Sequence, residues 1–397
     1  MASFTEQIKK NSAPDTRAFL FVVLVGAVSL FADMTYEGAR SITGPFLGSL
    51  GATATIVGIT AGMGELAGYG VRLVSGYLTD RTGQYWTITI VGYVINLLAV
   101  PALALTDRWD LAAALVIAER LGKGVRTPAR DTMLSHATRK IGRGRGFGLH
   151  EALDQVGAVL GPLIVAMVLS LTGDYKYSFA VLLVPALFAV AILLAARLLY
   201  PSPRDMEKTL QKTTGRFPRI FWLYLSGIAF IAAGFADYSL IAYHFGKIAS
   251  VPKDWIPIFY SAAMGIDALT ALIFGYFFDR IGFRILIWGT VISSLFAPFV
   301  FFGGFWLALF GVALWGIGMG AQESIMRAAV AEMISSEKRG TAYGIFNSGY
   351  GFAWFLGSTL MGYLYDLSVT ALVVFSITAQ LLSIPVLIIV NRKWPAG

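Results

Sequence analysis

The 397-residue chain has no cysteine, only three histidines and few charges, since 14% of its residues are Asp, Glu, Lys or Arg. The lack of cysteine excludes disulfides, thiolate metal sites and cysteine nucleophiles. The scarcity of charge argues against a water-soluble protein, because a soluble domain of average composition has about 25% charged residues. Apolar residues, at 56%, and glycine, with 43 residues, are abundant instead.

The apolar residues form runs of about 20, the length that crosses a bilayer core as a helix. The sequence therefore predicts an all-α integral membrane protein with twelve transmembrane helices, near residues 18–46, 54–79, 86–105, 111–135, 146–172, 178–199, 219–247, 255–279, 285–303, 306–334, 341–367 and 370–391. A long polar stretch separates the sixth run from the seventh. We predict an N-terminal six-helix bundle over residues 1–200, a cytoplasmic linker over 201–218 and a C-terminal six-helix bundle over 219–397.

The formal net charge is +8, and the basic residues are unevenly distributed among the loops. With a cytoplasmic N-terminus, the cytoplasmic loops hold most of them, for example within residues 139–145 and 204–219. The opposite side holds only Arg108, Lys176, Lys247 and Lys253. This bias predicts a multi-pass protein of the inner (plasma) membrane with both termini in the cytoplasm. Topology explains the basic charge, so we expect no nucleic-acid partner.

An internal repeat relates the two predicted bundles. Residues 76–83, Gly-Tyr-Leu-Thr-Asp-Arg-Thr-Gly, recur as residues 275–282, Gly-Tyr-Phe-Phe-Asp-Arg-Ile-Gly. The triplet at residues 31–33, Phe-Ala-Asp, recurs at 235–237, and Gly161 matches Gly357. Because the matches keep the same order, the bundles are predicted to be homologous and to share one orientation in the membrane.

The first copy of the repeated loop resembles the diagnostic loop of the major facilitator superfamily, G-x-L-x-D-R-x-G-R-[RK]. The matching residues are Gly76, Leu78, Asp80, Arg81 and Gly83, whereas Gln84 and Tyr85 replace the two final basic residues. The resemblance extends along essentially the whole chain. It implies a secondary transporter rather than an enzyme, a monomer in the lipid bilayer, and alternating access of a central site to the two sides.

Two further motifs carry the resemblance. Arg120 and Gly124 fit the R-x-x-x-G pattern of proton-coupled members, and Gly157, Gly161 and Pro162 resemble the G-x-x-x-G-P element of antiporters. They imply export of a small molecule, a drug or metabolite, against protons, without a cofactor. Small residues four apart let helices pack closely and proline bends a helix, so we predict a hinge at Gly157, Gly161 and Pro162.

The repeated loop also predicts a conformational latch. Gly76 should permit close approach of the second and eleventh helices, and Asp80 should face the positive end of the eleventh. Asp279 would do the same in the other half. We therefore expect a latch on the cytoplasmic side made of Gly76, Asp80, Arg81, Gly83, Asp279 and Arg280.

Several charged residues fall inside the predicted spans, where each would cost ~2.5–3.5 kcal/mol if it faced lipid. They must therefore line a water-filled cavity or pair with one another. Asp33 and Glu37 are four residues apart and share a helix face. We predict that proton coupling uses Asp33, Glu37, Glu65 and Arg120. The predicted substrate-binding residues are Tyr36, Arg40, Arg72, Arg126, Glu151, Asp154, Asp237, Asp267, Glu323 and Arg327.

Two alternatives stay open at this point. A proton symporter that imports an organic or phosphate-type anion could use Arg40, Arg72, Arg120, Arg126 and Arg327 as its clamp. The second alternative is a membrane enzyme or a lipid-handling protein, although the sequence shows no combination of a nucleophile and a base that would support enzymatic chemistry. His150 and Asp154 have no second histidine at a ligand spacing, so we expect no metal site.

Overall fold

The computed structural model describes residues 14–141, 143–201, 217–334 and 339–393. This part of the chain is helical, with no strand. The helices, numbered in chain order, are α1 (Pro14–Ser49), α2 (Ala54–Thr82), α3 (Tyr85–Ala102), α4 (Trp109–Ile141), α5 (Arg143–Thr172), α6 (Tyr175–Val181 and Leu183–Leu199), α7 (Arg219–Gly234 and Tyr238–Ile248), α8 (Trp255–Ile281), α9 (Arg284–Ser294 and Phe296–Phe302), α10 (Phe305–Met333), α11 (Arg339–Leu367) and α12 (Val369–Lys393). Below, α1–α6 are called the first half and α7–α12 the second half. The predicted linker lies largely outside the described residues.

Nine of these helical segments in the described residues are long and apolar enough to cross a membrane. The three others are α2, α4 and α11. Helices α2 and α4 carry charges such as Glu65 and Arg120, and α11 is rich in glycine and polar aromatic residues. Their low hydropathy has a structural reason, because all three contribute to the cavity between the halves that is described below.

The halves approach each other most closely at the end of the bundle that carries the α1–α2 loop. A methyl group added at Gly44 of α1 would lie 1.8 Å from the carbonyl oxygen of Ser239 in α7. One added at Gly58 of α2 would lie 2.2 Å from the carbonyl oxygen of Ser358 in α11. Only glycine allows such backbone contact, so these two positions close this end.

A carboxylate from the second half also holds this closed end. Asp366, at the end of α11, accepts hydrogen bonds from the backbone N–H of Ala54 at 3.2 Å and of Thr55 at 2.8 Å, and from the Thr55 hydroxyl at 2.6 Å. Thr53 caps the same helix locally through a bond from the Ile56 N–H. The first turn of α2 is therefore capped from both halves, with the negative charge at the positive end of the helix.

Helix α7 is interrupted between Gly234 and Tyr238, and the interruption is built into the packing. Ser376 and Gln380 of α12 donate to the carbonyl oxygen of Gly234 at 2.7 and 3.2 Å. The second piece of α7 starts at Asp237, whose carboxylate accepts from the Ser239 N–H at 2.8 Å. Side chains thus satisfy the Gly234 carbonyl and the Ser239 N–H at the break, and the capping carboxylate of Asp237 is within reach of Arg40 in the first half.

The backbone contact at Gly44 leads to a first prediction. Gly44→Ala should keep the halves from closing at the α1–α2 loop end, because its methyl would overlap Ser239. Thr43 is 5% exposed. A cysteine introduced at this position should then react several times faster with a water-soluble maleimide in the purified Gly44→Ala variant than in the protein that keeps Gly44. The chain has no other cysteine, so the labelling reports this position alone.

Gly70→Ala is the matched control, because a methyl there meets nothing within 4 Å. Equal labelling rates in the Gly44 and Gly70 variants would show that Gly44 does not determine closure.

Candidate functional site

A cavity of about 490 Å³ lies between the halves. Its walls come from α1, α2, α4 and α5 of the first half and from α8, α10 and α11 of the second. It extends to Leu134 near the end of α4 and to His150 near the start of α5. The cavity therefore points toward the α2–α3 loop end, away from the closed end. The predicted topology assigns the α2–α3 loop end to the cytoplasm.

The structure brings most of the predicted site residues to this cavity. Those that line it are Asp33, Tyr36, Glu37, Arg40, Glu65, Arg72, Arg120, Glu151, Asp154, Asp267 and Glu323. The side chain of Arg327 lies outside the described part of the structure.

The charges contributed by α1, α2 and α4 form one connected network. Glu65 lies 3.7 Å from Arg40 and 3.5 Å from Arg120, measured between oxygen and guanidinium nitrogen. Arg120 also contacts Glu119 at 3.3 Å, and the amide of Asn96 donates to Glu119 at 2.7 Å. Because both carboxylates have cationic partners, their burial is compensated.

Two contacts connect this network to the second half. The guanidinium of Arg40 donates to Asp237 at 2.7 Å, in a pair that is almost completely buried. The hydroxyl of Tyr260 in α8 donates to Glu37 at 2.5 Å. Asp237 thus contacts Arg40 directly, beside a small pocket that the two residues share. These contacts tie α1 to the second half between the cavity and the closed end.

Lys123 is a cavity residue to which the sequence analysis gave no role. Its ammonium nitrogen lies 3.9 Å from Glu37 and 3.9 Å from the centre of the Tyr36 ring. The spacing of Lys123 from Arg120 could have predicted its place in the cavity, since a residue three positions after Arg120 lies on nearly the same face of a helix. Gln155 and Tyr260 were missed too, because uncharged side chains do not stand out in a membrane helix.

Arg126 is placed differently from the prediction. It is completely enclosed and does not line the cavity. Its guanidinium carbon lies 4.2 Å from the centre of the Tyr93 ring and 5.8 Å from that of Tyr36. Arg126 is six residues from Arg120, which turns it by about 240° to another face of α4. We therefore withdraw it from the substrate-binding set and interpret it as a cation packed on aromatic rings.

A second group of cavity acids has few partners. One buried carboxylate oxygen, Oδ1, of each of Asp33, Asp154 and Asp267 accepts no hydrogen bond in the described structure. They lie on α1, α5 and α8. Buried polar atoms are usually satisfied, so three unpaired oxygens in one cavity mark positions where a proton, water or ligand can bind.

One group of side chains has the composition of a metal site. Ligand atoms of His150, Glu151 and Asp154 lie within 4.8 Å of one another. His150 already shares a 2.9 Å hydrogen bond with Ser29. The three residues could hold a divalent cation, but they are one helical turn of α5 and no further feature of the site points to a metal.

The predicted latch is only partly as expected. Asp80 is exposed and makes no hydrogen bond or ion pair within the described residues. Gly76 faces Pro128 of α4, with 3.6 Å to an added methyl, so in this state it does not make its predicted approach to α11. Gly58 makes that approach instead, at the opposite end of α2.

The other latch residues are accounted for locally. Gly83 ends α2 with φ 63°, a left-handed conformation that glycine adopts readily. Arg81 donates to the Tyr77 hydroxyl at 3.2 Å, and Arg280 stacks 4.1 Å from the Tyr276 ring centre. The side chain of Asp279 lies outside the described part.

The predicted hinge residues pack within the first half. A methyl at Gly157 would lie 2.2 Å from the Leu30 carbonyl oxygen, and one at Gly161 would lie 2.3 Å from that of Met34. Helix α5 therefore contacts α1 backbone to backbone, while Pro162 lies inside the continuous helix. Gly357 of α11 packs in the same way against Ala233 of α7, at 2.1 Å.

The comparison with known families gives the decisive observation. The model of the Major Facilitator Superfamily matches residues 23–283 and 228–395. The chain belongs to this superfamily. The prediction from the loop at residues 76–83 is thereby confirmed, and the chain is a multi-pass membrane transporter of small molecules rather than an enzyme.

Individual relatives agree with this membership of the Major Facilitator Superfamily. An uncharacterized protein of Mycobacterium tuberculosis is 43% identical over 379 residues, which cover 94% of this chain and 93% of that protein. A multidrug resistance protein MdtH of Proteus mirabilis is 32% identical over 120 residues, 30% of each chain. The crystal structure of nucleoside transporter NupG shares the fold, with a TM-score of 0.73, 13% identity and coverage of 95% of this chain and 100% of that one.

The Arg40–Asp237 pair leads to a second prediction. Asp237→Asn should lower the melting temperature of the purified protein, because Arg40 would lose its nearest acid and keep only Glu65, at 3.7 Å. Asparagine can still cap the second piece of α7, so the change in melting temperature reports the loss of the negative charge. Adding Arg40→Gln should lower the melting temperature no further, since both members of the pair are then neutral. Additive losses in the double variant would contradict direct coupling.

Proposed function

We propose that this transporter is proton-coupled and exports a small molecule, a drug or metabolite, by alternating access. It would act as a monomer whose twelve helices cross the membrane in two homologous bundles, with both termini in the cytoplasm. The shape of the cavity supports the proposal. It reaches toward the predicted cytoplasmic end, while the opposite end is closed by backbone contacts.

The observation that carries proton coupling is the position of Asp33. It is 6% exposed, lines the cavity and has an oxygen without a hydrogen-bond partner. Asp154 of α5 repels it electrostatically. Gly157, one turn further along α5, packs directly against Asp33, with 3.0 Å between an added methyl and the Asp33 Cβ. Two buried carboxylates so placed repel each other when both are charged, and one proton relieves that repulsion.

Glu37, Glu65 and Arg120 were predicted to share the coupling role with Asp33. Each already has an oppositely charged partner in the network, and Glu37 is also bound by Tyr260. In the proposed mechanism these residues connect proton binding to the contact between the halves. A proton on Asp33 would change the charge that Lys123 experiences, and through Glu37 the bond to the second half.

The remaining cavity residues are proposed to contact the substrate. They are Tyr36, Arg72, Glu151, Asp154, Asp267 and Glu323. Arg40 and Asp237 bind each other in this state, so they would join the substrate only when the halves move. Asp80 and Asp279 are proposed to act when the predicted cytoplasmic end closes.

Export is favoured over import by two features. The Gly-Pro element of α5 resembles that of antiporters, and one partial relative bears the name of a multidrug resistance protein. The positions of the arginines argue against the anion-import alternative. Arg126 is enclosed, and Arg40 and Arg120 are already paired with acids, so three of the five arginines of that clamp are engaged in the described structure.

The test of proton coupling starts from binding. A library of metabolites and drugs is screened by thermal shift at pH 6 and pH 8. If substrate and proton compete, compounds should bind more tightly at pH 8, where the carboxylates are free of protons. Asp33→Asn should remove this pH dependence while keeping binding, since the amide cannot take up the competing proton.

The control is Asp110→Asn, the same chemical change at an exposed carboxylate that pairs with Arg108 at 2.6 Å. A binding compound is then tested in proteoliposomes. An antiporter accumulates it when the vesicle interior is acidic, whereas a symporter requires the exterior to be acidic. Full pH dependence in Asp33→Asn, or accumulation only with an acidic exterior, would overturn the proposal.

A further inference from the structure

The carboxylates on the α5, α8 and α10 side of the cavity are surrounded differently from those on α1, α2 and α4. Asp267 of α8 interacts most strongly with Glu323 of α10, with Glu151 and Gln155 of α5, and with Glu37. None of these groups is basic. By contrast, Glu65 and Asp237 each have an arginine within 3.7 Å. Among the described residues, Asp267 thus lies near acids and an amide, whereas Glu65 and Asp237 lie beside arginines.

Asp267 is more enclosed than Glu151 and Glu323. It is 2% exposed and lines the cavity, and its Oδ1 atom accepts no hydrogen bond within the described residues. Gln155 contacts the carboxylate with its side chain, and the Gln155 carbonyl oxygen, Oε1, is also buried without a donor. Gln155 thus supplies one hydrogen bond to the carboxylate, yet one acceptor atom of each residue is left without a donor. A buried carboxylate in this situation requires a donor, and a cationic donor satisfies both charge and hydrogen bonding.

The packing holds this position in place. A methyl at Gly320 of α10 would lie 2.6 Å from the carbonyl oxygen of Asp267, so α8 and α10 are in backbone contact there. This contact holds Asp267 beside Gly320 of α10, and Gly320 lies three residues before Glu323 in the sequence. Met264 and Met319, each about one helical turn before one of these acids, line the cavity next to them, and Trp354 lines it from α11. The cavity that Asp267 lines thus also offers apolar and aromatic surface.

We infer that Asp267 and Gln155 form a binding site for an ammonium group of the transported molecule, whose apolar body packs on Met264, Met319 and Trp354. An ammonium group has three donors and one positive charge, which matches two unpaired acceptors and the surrounding acids. Aromatic and thioether side chains suit the body of such a cation. The substrate class is therefore organic amines with an apolar part, of a size that a cavity of about 490 Å³ can enclose.

The inference deepens the proposed function and rests on it for the transport of the amine, but not for its binding. The two can fail separately. Asp33 on α1 is the proposed proton carrier, and Asp267 on α8 is the inferred amine site, so each has its own variant and its own measurement.

Three probes with the same phenyl body test the inference in purified protein: 2-phenylethylamine, 2-phenylethanol and 3-phenylpropanoate. Binding is followed by the shift in melting temperature and by tryptophan fluorescence. The contribution of Trp354 to the fluorescence change is obtained by comparison with the Trp354→Phe variant. Only the amine should bind. Asp267→Asn should weaken it at least about tenfold, as expected for loss of a charged hydrogen bond. Gln155→Leu should weaken it several-fold without changing the charge, and Asp110→Asn should leave it unchanged.

The overturning results are specific. Equal binding of all three probes, or an unaltered amine affinity in Asp267→Asn and Gln155→Leu, would show that these residues do not recognise an ammonium group. Competition of Mn²⁺ with the amine at micromolar concentration, abolished by His150→Ala, would assign the acids to an inorganic cation instead. Amine binding that survives in Asp33→Asn without pH dependence would support both proposals, and pH dependence that persists there would contradict proton coupling alone.

Discussion

Charge buried between helices has to be neutralised, and this constraint organises the molecule. A charged side chain that faced lipid would cost several kcal/mol, so the polar helices α2 and α4 are turned toward the space between the halves. There, Glu65 lies between Arg40 and Arg120, and Arg40 reaches on to Asp237 of the other half. The ion network thus does more than compensate burial. It also joins the two halves, because Arg40 of the first half binds Asp237 of the second.

Much of this arrangement was accessible from the sequence because it depends on local rules. Runs of apolar residues locate the helices, and the spacing of Asp33 and Glu37 places both on one face of α1. The cost of charge in lipid then directs Glu65 and Arg120 to the same cavity. The repeated loop and the Gly-Pro element identified the family. The polar character of α2, α4 and α11 follows from the same reasoning, since a helix that borders water needs less hydropathy.

The remaining features depend on tertiary geometry that the sequence does not encode locally. The Arg40–Asp237 and Tyr260–Glu37 bonds join residues separated by 197 and 223 positions. Such pairs depend on how the two halves are arranged in space. Arg126 and Arg120 look equivalent in sequence, yet the helical turn between them directs one to aromatic rings and the other to the cavity. For Gly76, the neighbour in this structure is Pro128 of α4, which the sequence alone does not indicate.

The shared cap at the start of α2 links helix stability to transport. In the present state, the N–H groups of Ala54 and Thr55 are bound by a carboxylate that belongs to the other half. When the halves part at this end, Asp366 leaves and those amides lose their acceptor, so only Thr53 and water remain to satisfy them. If the transporter alternates as proposed, fraying of one helical turn would accompany opening, and amide hydrogen exchange at residues 54–55 would report how often this end opens.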